Sequence, residues 1–181
     1  MKILFATTIA LTMIGSTIVP QIAQATPALT TESRVGTNGI GPVHVGMTAS
    51  EAETAAGRAI IIRKNVLGGT CTYASFRGLD GVDFMLIKGI IQRVDISNRA
   101  IMTLRGAAIG DTAARIRNLY PGQTKTTRHP YARRDGDNYL TFFPKDREDQ
   151  DYRLIFETSQ GLVKRFRSGR VPAVDAIEGC S

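Results

Sequence analysis

The same short sequence pattern opens two halves of this chain. It reads VGMTASEA at residues 45–52 and IGDTAARI at residues 109–116, which is 64 positions later. Further along, FMLIKGIIQRV at residues 84–94 resembles LIFETSQGLVKRF at residues 154–166, because both place a glycine between two apolar runs and an arginine near the end. Repetition over this distance indicates one structural unit that occurs twice. This repeat constrains the fold more than any single motif does.

Each copy begins with the signals of a short helix. Thr48 can accept a hydrogen bond from the backbone N–H of Glu51 while the Glu51 carboxylate reaches back, and Gly57 can close the helix in the left-handed conformation. Thr112 is the equivalent cap in the second copy, and Pro121 with the glycine after it ends that helix. Helices of about ten residues are marginal alone in water, so we expect both to pack on an apolar surface.

An antiparallel sheet is the predicted partner of each helix. Apolar residues alternate with others over residues 82–87 and 90–96, around a turn at Lys88 and Gly89, and over residues 152–157 and 162–167, around Gly161. Residues 71–76 and 139–143 favour preceding strands. The predicted fold class is α+β, with two tandem repeats that each pack a short helix, or helix pair, on one face of an antiparallel sheet of about three to four strands.

Composition and charge divide the chain into segments. Residues 1–25 carry a positive charge at Lys2, an apolar run and a small-x-small site ending at Ala25, which predicts a cleaved signal peptide. We expect a periplasmic or secreted protein with no transmembrane segment after cleavage. Residues 26–38 are predicted to be a flexible leader, residues 39–102 the first repeat and residues 103–181 the second. The two cysteines, Cys71 and Cys180, are expected to form a disulfide bond in an oxidising compartment.

The sheet face away from the helices is the predicted binding surface. Alternation places apolar residues of the first repeat and arginines of the second repeat on this face. An exposed contiguous patch often marks a contact site for another protein. The candidate binding residues are Met85, Ile87, Ile91, Arg93, Arg153, Arg165 and Arg167. The alternative that the leader or the other repeat covers this face stays open.

Motifs for catalysis and for cofactors are weak in this sequence. The run GPVHVGMT at residues 41–48 fits the spacing of a phosphate-binding loop, but Met47 stands where the lysine belongs. Neither His44 nor His129 has a partner at ligand spacing. We therefore predict no metal, no cofactor and no enzymatic activity. A small extracytoplasmic hydrolase assembled around His44 or His129 is the alternative from the catalytic class.

The formal net charge of +7 at pH 7 points to an anionic partner. Because the charge is spread along the chain and tryptophan is absent, nucleic acid is not favoured. For an exported chain, another extracytoplasmic protein or an anionic envelope component is favoured instead. An envelope factor that binds an anionic polymer is therefore a second alternative.

The opening of the first copy also carries a family resemblance. Its pattern V-G-M-T-x-x-E-A over residues 45–52, followed by Gly57 and an antiparallel sheet, resembles the small exported modules of the outer-membrane-assembly lipoprotein family and, in tandem, of the β-lactamase inhibitory proteins. The resemblance covers about residues 39–170 and implies helix-on-sheet modules that bind other proteins through the open sheet face and the hairpin turns. It implies no catalytic residues. The predicted function is that of an exported, non-catalytic protein that recognises a macromolecular partner.

Overall fold

The chain folds into short helices and many antiparallel strands. A computed structural model describes residues 28–63 and 69–180, so the predicted signal peptide lies outside the described residues. The helices are α1 (Ala49–Ala56) and α2 (Ala113–Leu119), and one turn of 3-10 helix spans Arg147–Asp149. The strands are β1 (Val35–Gly36), β2 (Gly39–Ile40), β3 (Val43–His44), β4 (Ile60–Ile62), β5 (Cys71–Phe76), β6 (Val82–Ile87), β7 (Ile90–Ile96), β8 (Thr124–Arg128), β9 (Asn138–Phe142), β10 (Tyr152–Ser159) and β11 (Leu162–Arg170).

The strands form two antiparallel sheets. One sheet has three strands in the order β1-β2-β3, and the other has eight in the order β4-β5-β6-β7-β11-β10-β9-β8. The α+β class is confirmed, but the expected sheet of about three to four strands is wrong. β7 is the last strand of the first half of the chain, and β11 is the last strand of the second half. Each strand would have an unpaired edge within its own half, and the two strands pair with each other along those edges. Pairing of two such edges satisfies backbone groups that would otherwise stay unpaired.

Both helices start as their sequences predict and lie on the same side of the large sheet. Thr48 Oγ1 accepts from the Glu51 N–H at 3.2 Å, and the Glu51 carboxylate accepts from the Thr48 N–H at 2.8 Å. Thr112 Oγ1 accepts from the Arg115 N–H at 3.1 Å. Ile116 of α2 is completely buried in the main core, against this face of the sheet. Within the described residues, neither helix has the length and apolar character needed to cross a bilayer.

The described part of the predicted leader is ordered and packed. Residues 35 and 36 form β1, and Leu29 and Val35 are 0% and 1% exposed in the main core. The Leu29 N–H donates to the Ala56 carbonyl at 3.0 Å, and Arg58 Nε donates to the Leu29 carbonyl at 2.6 Å. The expectation of a flexible leader is therefore wrong for residues 28–38. The polar composition of this segment gave no sign that Leu29 packs at the end of α1 and that Val35 pairs with the segment around Thr103.

The two repeated openings have the same backbone geometry. Gly46 and Gly110 have φ angles of 97° and 98°, in a region that favours glycine. The Gly46 N–H donates to the Ile91 carbonyl at 2.8 Å, and the Gly110 N–H donates to the Val163 carbonyl at 2.9 Å. In each case the strand residue donates back, at 2.9 Å, to the residue after the glycine. Each opening is thus fixed to the strand that follows a glycine hairpin.

The sheet face opposite the helices, called the second face below, is partly covered by the end of the chain. Residues 171–180, the C-terminal tail, bury Val174 against Ile155 and Tyr139. The expected disulfide between Cys71 and Cys180 is confirmed and fastens the tail to β5. It closes a separation of 109 residues, for which chain entropy gives a stabilisation of at most about 4.7 kcal/mol.

Candidate functional site

Charged residues from both halves of the chain meet on the second face. Asp83 in β6 lies opposite Asp95 in β7, and Asp95 lies opposite Arg167 in β11. Like charges in directly opposed positions destabilise a sheet. Arg63 forms an ion pair with Asp83, and Arg93 forms one with Asp95, with 2.8 Å between Nε and Oδ2. The opposed carboxylates are therefore neutralised by arginines on the same face.

Arg93 joins the sheet to the C-terminal tail. Its Nη1 atom donates to the Ala173 carbonyl at 3.0 Å and to the Ala176 carbonyl at 2.7 Å, and its Nη2 atom donates to the Tyr73 hydroxyl at 2.9 Å. Only 4% of the residue is exposed. Burial raises the pKa of its partner Asp95, while the charge of Arg93 opposes that rise. Every terminal nitrogen of this buried guanidinium is thus engaged in holding the tail and the sheet together.

Arg167 lies next to Arg93 and is less well neutralised. Its Nε atom donates to the Val174 carbonyl at 2.6 Å, and its guanidinium stacks over the ring of Tyr139 at 5.1 Å from the centroid. The residue is 6% exposed, and its nearest carboxylate oxygen in the described residues, Glu157 Oε2, is 3.9 Å from Nη1. Burial lowers the pKa of Arg167, and the charge of Arg93 lowers it further.

Arg165 is the most exposed of the three neighbouring arginines Arg93, Arg165 and Arg167. It makes a two-point ion pair with Glu157, at 2.7 Å from Nε and 2.9 Å from Nη2, and 60% of its side chain is exposed. Hydrogen bonding to the Glu157 carboxylate raises the pKa of Arg165. On the other side of Glu157, His129 Nε2 lies 3.5 Å from Oε1 and 2.9 Å from the Tyr139 hydroxyl. The Glu157 carboxylate thus holds Arg165 in place while most of the arginine side chain faces solvent.

These charged groups surround an open cavity of about 300 Å³ between the second face and the C-terminal tail. Side chains of the sheet form its floor, and Ile177, Glu178 and Gly179 of the tail form one wall. Glu178 is exposed and accepts a hydrogen bond from the Tyr131 hydroxyl. Ile177 is 39% exposed at the rim. The charged and polar side chains of the lining are Arg63, Tyr73, Asp83, Arg93, Asp95, Ser97, Arg165, Arg167 and Glu178.

One predicted binding residue lies on the wrong face. The pairing of β6 with β7 shifts register, so that Leu86 lies opposite Ile91 while Met85 lies opposite Arg93. The extra residue, Gln92, turns Ile91 towards the helices, where it is 2% exposed in the main core. The prediction that Ile91 belongs to the binding surface is therefore wrong, because simple alternation does not reveal a β-bulge.

The other predicted residues lie on the second face in unequal surroundings. Met85 is 1% exposed, and Ile87 is half-buried at the end of β6. Arg153 donates to the Gln150 carbonyl at 2.6 Å and stacks over Phe143 at 4.6 Å, away from the cavity. The predicted residues that the cavity brings together are Arg93, Arg165 and Arg167.

Sequence reasoning missed the acidic half of the site. Asp83 and Asp95 follow the same alternation as Met85 and Arg93, so the strand pattern already placed them on this face. Glu178 is part of the C-terminal tail, which brings it to the cavity. The disulfide to Cys180 was the available signal, because it requires the chain end to cross β5.

The two histidines differ in their hydrogen bonding within the described residues. His129 Nδ1 accepts from the Tyr131 N–H at 3.0 Å, and Nε2 faces Tyr139 and Glu157. Both of its ring nitrogens are therefore engaged. His44 Nδ1 is buried and has no hydrogen-bond partner among the described residues.

Comparisons with known proteins add little to this geometry. No family model matches the chain, and no curated protein matches it. Among solved structures, the chain is similar to that of the uncharacterized protein yfeY from Escherichia coli, at 15% identity and a TM-score of 0.49. The match covers 76% of this chain and 99% of that one.

Proposed function

We propose that this chain is an exported, non-catalytic binding protein that recognises another extracytoplasmic protein through the cavity on the second face. The observation that carries the proposal is Arg165, which is anchored by Glu157 yet keeps 60% of its side chain exposed at an open cavity. An anchored arginine loses little conformational freedom on binding, and arginine is enriched among the residues that dominate protein interfaces.

The matching geometry of the two openings supports a tandem duplication. Gly46 and Gly110 have nearly equal φ angles and make the same pair of backbone bonds to the strand after each hairpin. One helix and four strands of the large sheet follow each opening. This arrangement fits the resemblance to tandem exported modules, in which the open sheet face binds proteins. The disulfide supports a periplasmic or secreted location, because such bonds persist in oxidising compartments.

A protein partner suits the cavity better than an anionic polymer does. The lining alternates arginines with Asp83, Asp95 and Glu178, so the positive charges are opposed locally. Ile177 adds a half-exposed apolar side chain at the rim. Binding of a polyanion relies on positive groups without such opposition and weakens steeply with salt. Charges of both signs beside an apolar contact can be matched by the complementary charges of a protein partner.

Capture experiments with matched variants test the proposal. The disulfide-bonded protein is immobilised, the proteins that it retains from an extracytoplasmic extract are identified, and each affinity is measured for two variants. Arg165→Ala removes the exposed arginine. Lys164→Ala removes a charge that is also exposed, at the irregularity between Glu157 and Thr158 and outside the cavity lining.

We expect Arg165→Ala to weaken binding about tenfold and Lys164→Ala to leave it unchanged. Melting temperatures of both variants should match that of the parent, because exposed ion pairs contribute about 0–1 kcal/mol. Equal affinities for the two variants would contradict the proposal. Binding that is lost as the salt concentration rises, and that neither substitution changes, would favour an anionic polymer as the partner instead.

A further inference from the structure

The arginines on the second face are not equally well paired with carboxylates. Arg93 is hydrogen-bonded to Asp95, and Arg165 is hydrogen-bonded to Glu157. Arg167 has no carboxylate oxygen of the described residues within hydrogen-bonding distance, since the nearest is 3.9 Å away. Of the three arginines Arg93, Arg165 and Arg167, only Arg167 therefore lacks a hydrogen-bonded carboxylate within the described residues. Its residue is only 6% exposed.

Arg167 lies at the cavity. Arg167 is part of the lining, and its Nε atom is already used by the Val174 carbonyl. A buried cation is costly unless it is paired and hydrogen-bonded. The terminal nitrogens of a guanidinium can bind both oxygens of one carboxylate in a planar, two-point arrangement. A carboxylate entering from the open side would supply the missing pair.

We propose that the cavity takes a single carboxylate of the protein partner, from an aspartate or glutamate side chain, on Arg167. This inference rests on the proposed function, because it names the group that the partner presents to the same site. Ile177 at the rim would contact the methylene groups that carry the carboxylate. Arg165 and Arg63 flank the entrance with partly exposed guanidiniums, at 60% and 56% side-chain exposure.

The charge of the cavity favours a carboxylate over a phosphate group. A carboxylate has one negative charge. A phosphate ester has a charge of about −1.5 to −2 at pH 7 and would face the carboxylates of Asp83 and Glu178 in the same lining. Repulsion by those groups selects the smaller charge.

Arginine side-chain NMR with small probes tests this inference without knowledge of the partner. The full disulfide-bonded protein is titrated with N-acetylglutamate, with the uncharged analogue N-acetylglutamine and with inorganic phosphate, at matched ionic strength. The Nε–H signal of Arg167 is assigned by its loss in Arg167→Lys, and the Arg165 signal by its loss in Arg165→Lys.

We expect a saturable shift of the Arg167 signal with N-acetylglutamate and an affinity at least about tenfold higher than for the other two probes. Absence of a saturable shift, a shift confined to Arg165, or equal affinity for N-acetylglutamine would overturn the inference. Tighter binding of phosphate would also overturn it. The parent protein gives the primary readout, so an unstable variant would not leave the question open.

The outcomes separate this inference from the proposed function. If the Arg167 signal does not shift with N-acetylglutamate while Arg165→Ala still weakens capture, the carboxylate assignment is wrong and the proposed binding surface is retained. If Arg167 binds N-acetylglutamate while Arg165→Ala leaves the affinity for the captured protein unchanged, the cavity binds carboxylates but does not form the proposed protein interface.

Discussion

Arg93 Nη1 donates to the carbonyl of Ala176 at 2.7 Å, across 83 residues of chain. The same nitrogen reaches Ala173, so one buried side chain holds two points of the C-terminal tail on the second face. The tail in turn forms a wall of the cavity. The shape of the proposed binding site therefore depends on a contact between the centre of the sheet and the end of the chain.

Removal of the Arg93 side chain should be strongly destabilising. Arg93→Ala leaves the Asp95 carboxylate without its hydrogen-bonded partner in a site whose burial already raises the pKa of Asp95. Breaking a buried ion pair in this way costs about 3–5 kcal/mol, and urea unfolding measures it. The control is Arg63→Ala, whose side chain is 56% exposed and which should cost about 0–1 kcal/mol. Similar losses for both variants would show that Arg93 is not the anchor described above.

Ser168 offers a test of an unpaired polar group in the core. Its residue is 0% exposed, and its Oγ atom has no hydrogen-bond partner among the described residues. Ser168→Ala should leave the free energy of unfolding unchanged or raise it, because a buried unpaired hydroxyl costs about 1–3 kcal/mol. Thr103→Val is the matched contrast, since Thr103 Oγ1 accepts from the Tyr120 hydroxyl at 2.8 Å and from the Ala107 N–H at 3.0 Å. Thermal unfolding should show a clear loss for Thr103→Val alone, and a comparable loss for Ser168→Ala would refute this reading.

The two helix caps should contribute similar amounts to the free energy of unfolding if the two openings are equivalent. Thr48 and Thr112 each accept a backbone hydrogen bond from the residue three positions later, at 3.2 and 3.1 Å. Replacement of either by alanine should cost about 1 kcal/mol in urea unfolding. Thr48→Ala should cost slightly more, because only the first cap has the reciprocal glutamate. A cost for one cap and none for the other would weaken the proposed duplication.

Asp137 gives a prediction about pH. The Ser159 hydroxyl, together with the backbone N–H groups of Arg133, Gln160 and Arg134, lowers the pKa of the Asp137 carboxyl from 3.8 to about 2. Because the folded pKa lies below the unfolded one, the stabilisation is present above pH 3.8 and is lost as the pH falls towards 2. Ser159→Ala should raise the pKa of Asp137, as measured by NMR titration of its side-chain carbonyl carbon. An unchanged titration curve in Ser159→Ala would exclude the hydroxyl as the main cause.

Local sequence signals predicted the helices and strands well, but they did not predict which segments cover them. The capping residues Thr48 and Thr112 and the hairpin at Gly89 depend on neighbours in the chain, so their structure could be predicted. The inward turn of Ile91 depends on Gln92 being accommodated as a bulge between two strands, which only the pairing shows. A long-range pairing likewise joins β7 to β11.

The site was predicted in part for the same reason. Alternation in β11 placed Arg165 and Arg167 together on the second face. It could not show that Arg167 is buried under the tail while Arg165 stays exposed, because that difference arises from residues 171–180. Nor could it show that Arg63, just beyond β4, reaches Asp83.

The most direct test of the central claim uses a photo-crosslinking amino acid in exporting cells. It is placed at position 165 in one variant and at position 164 in the other, and adducts are detected after irradiation. The account predicts a discrete protein adduct from position 165, at the cavity, and none from position 164, outside its lining. Adducts from both positions in equal yield, or from position 164 alone, would contradict the assignment of the second-face cavity as the binding surface.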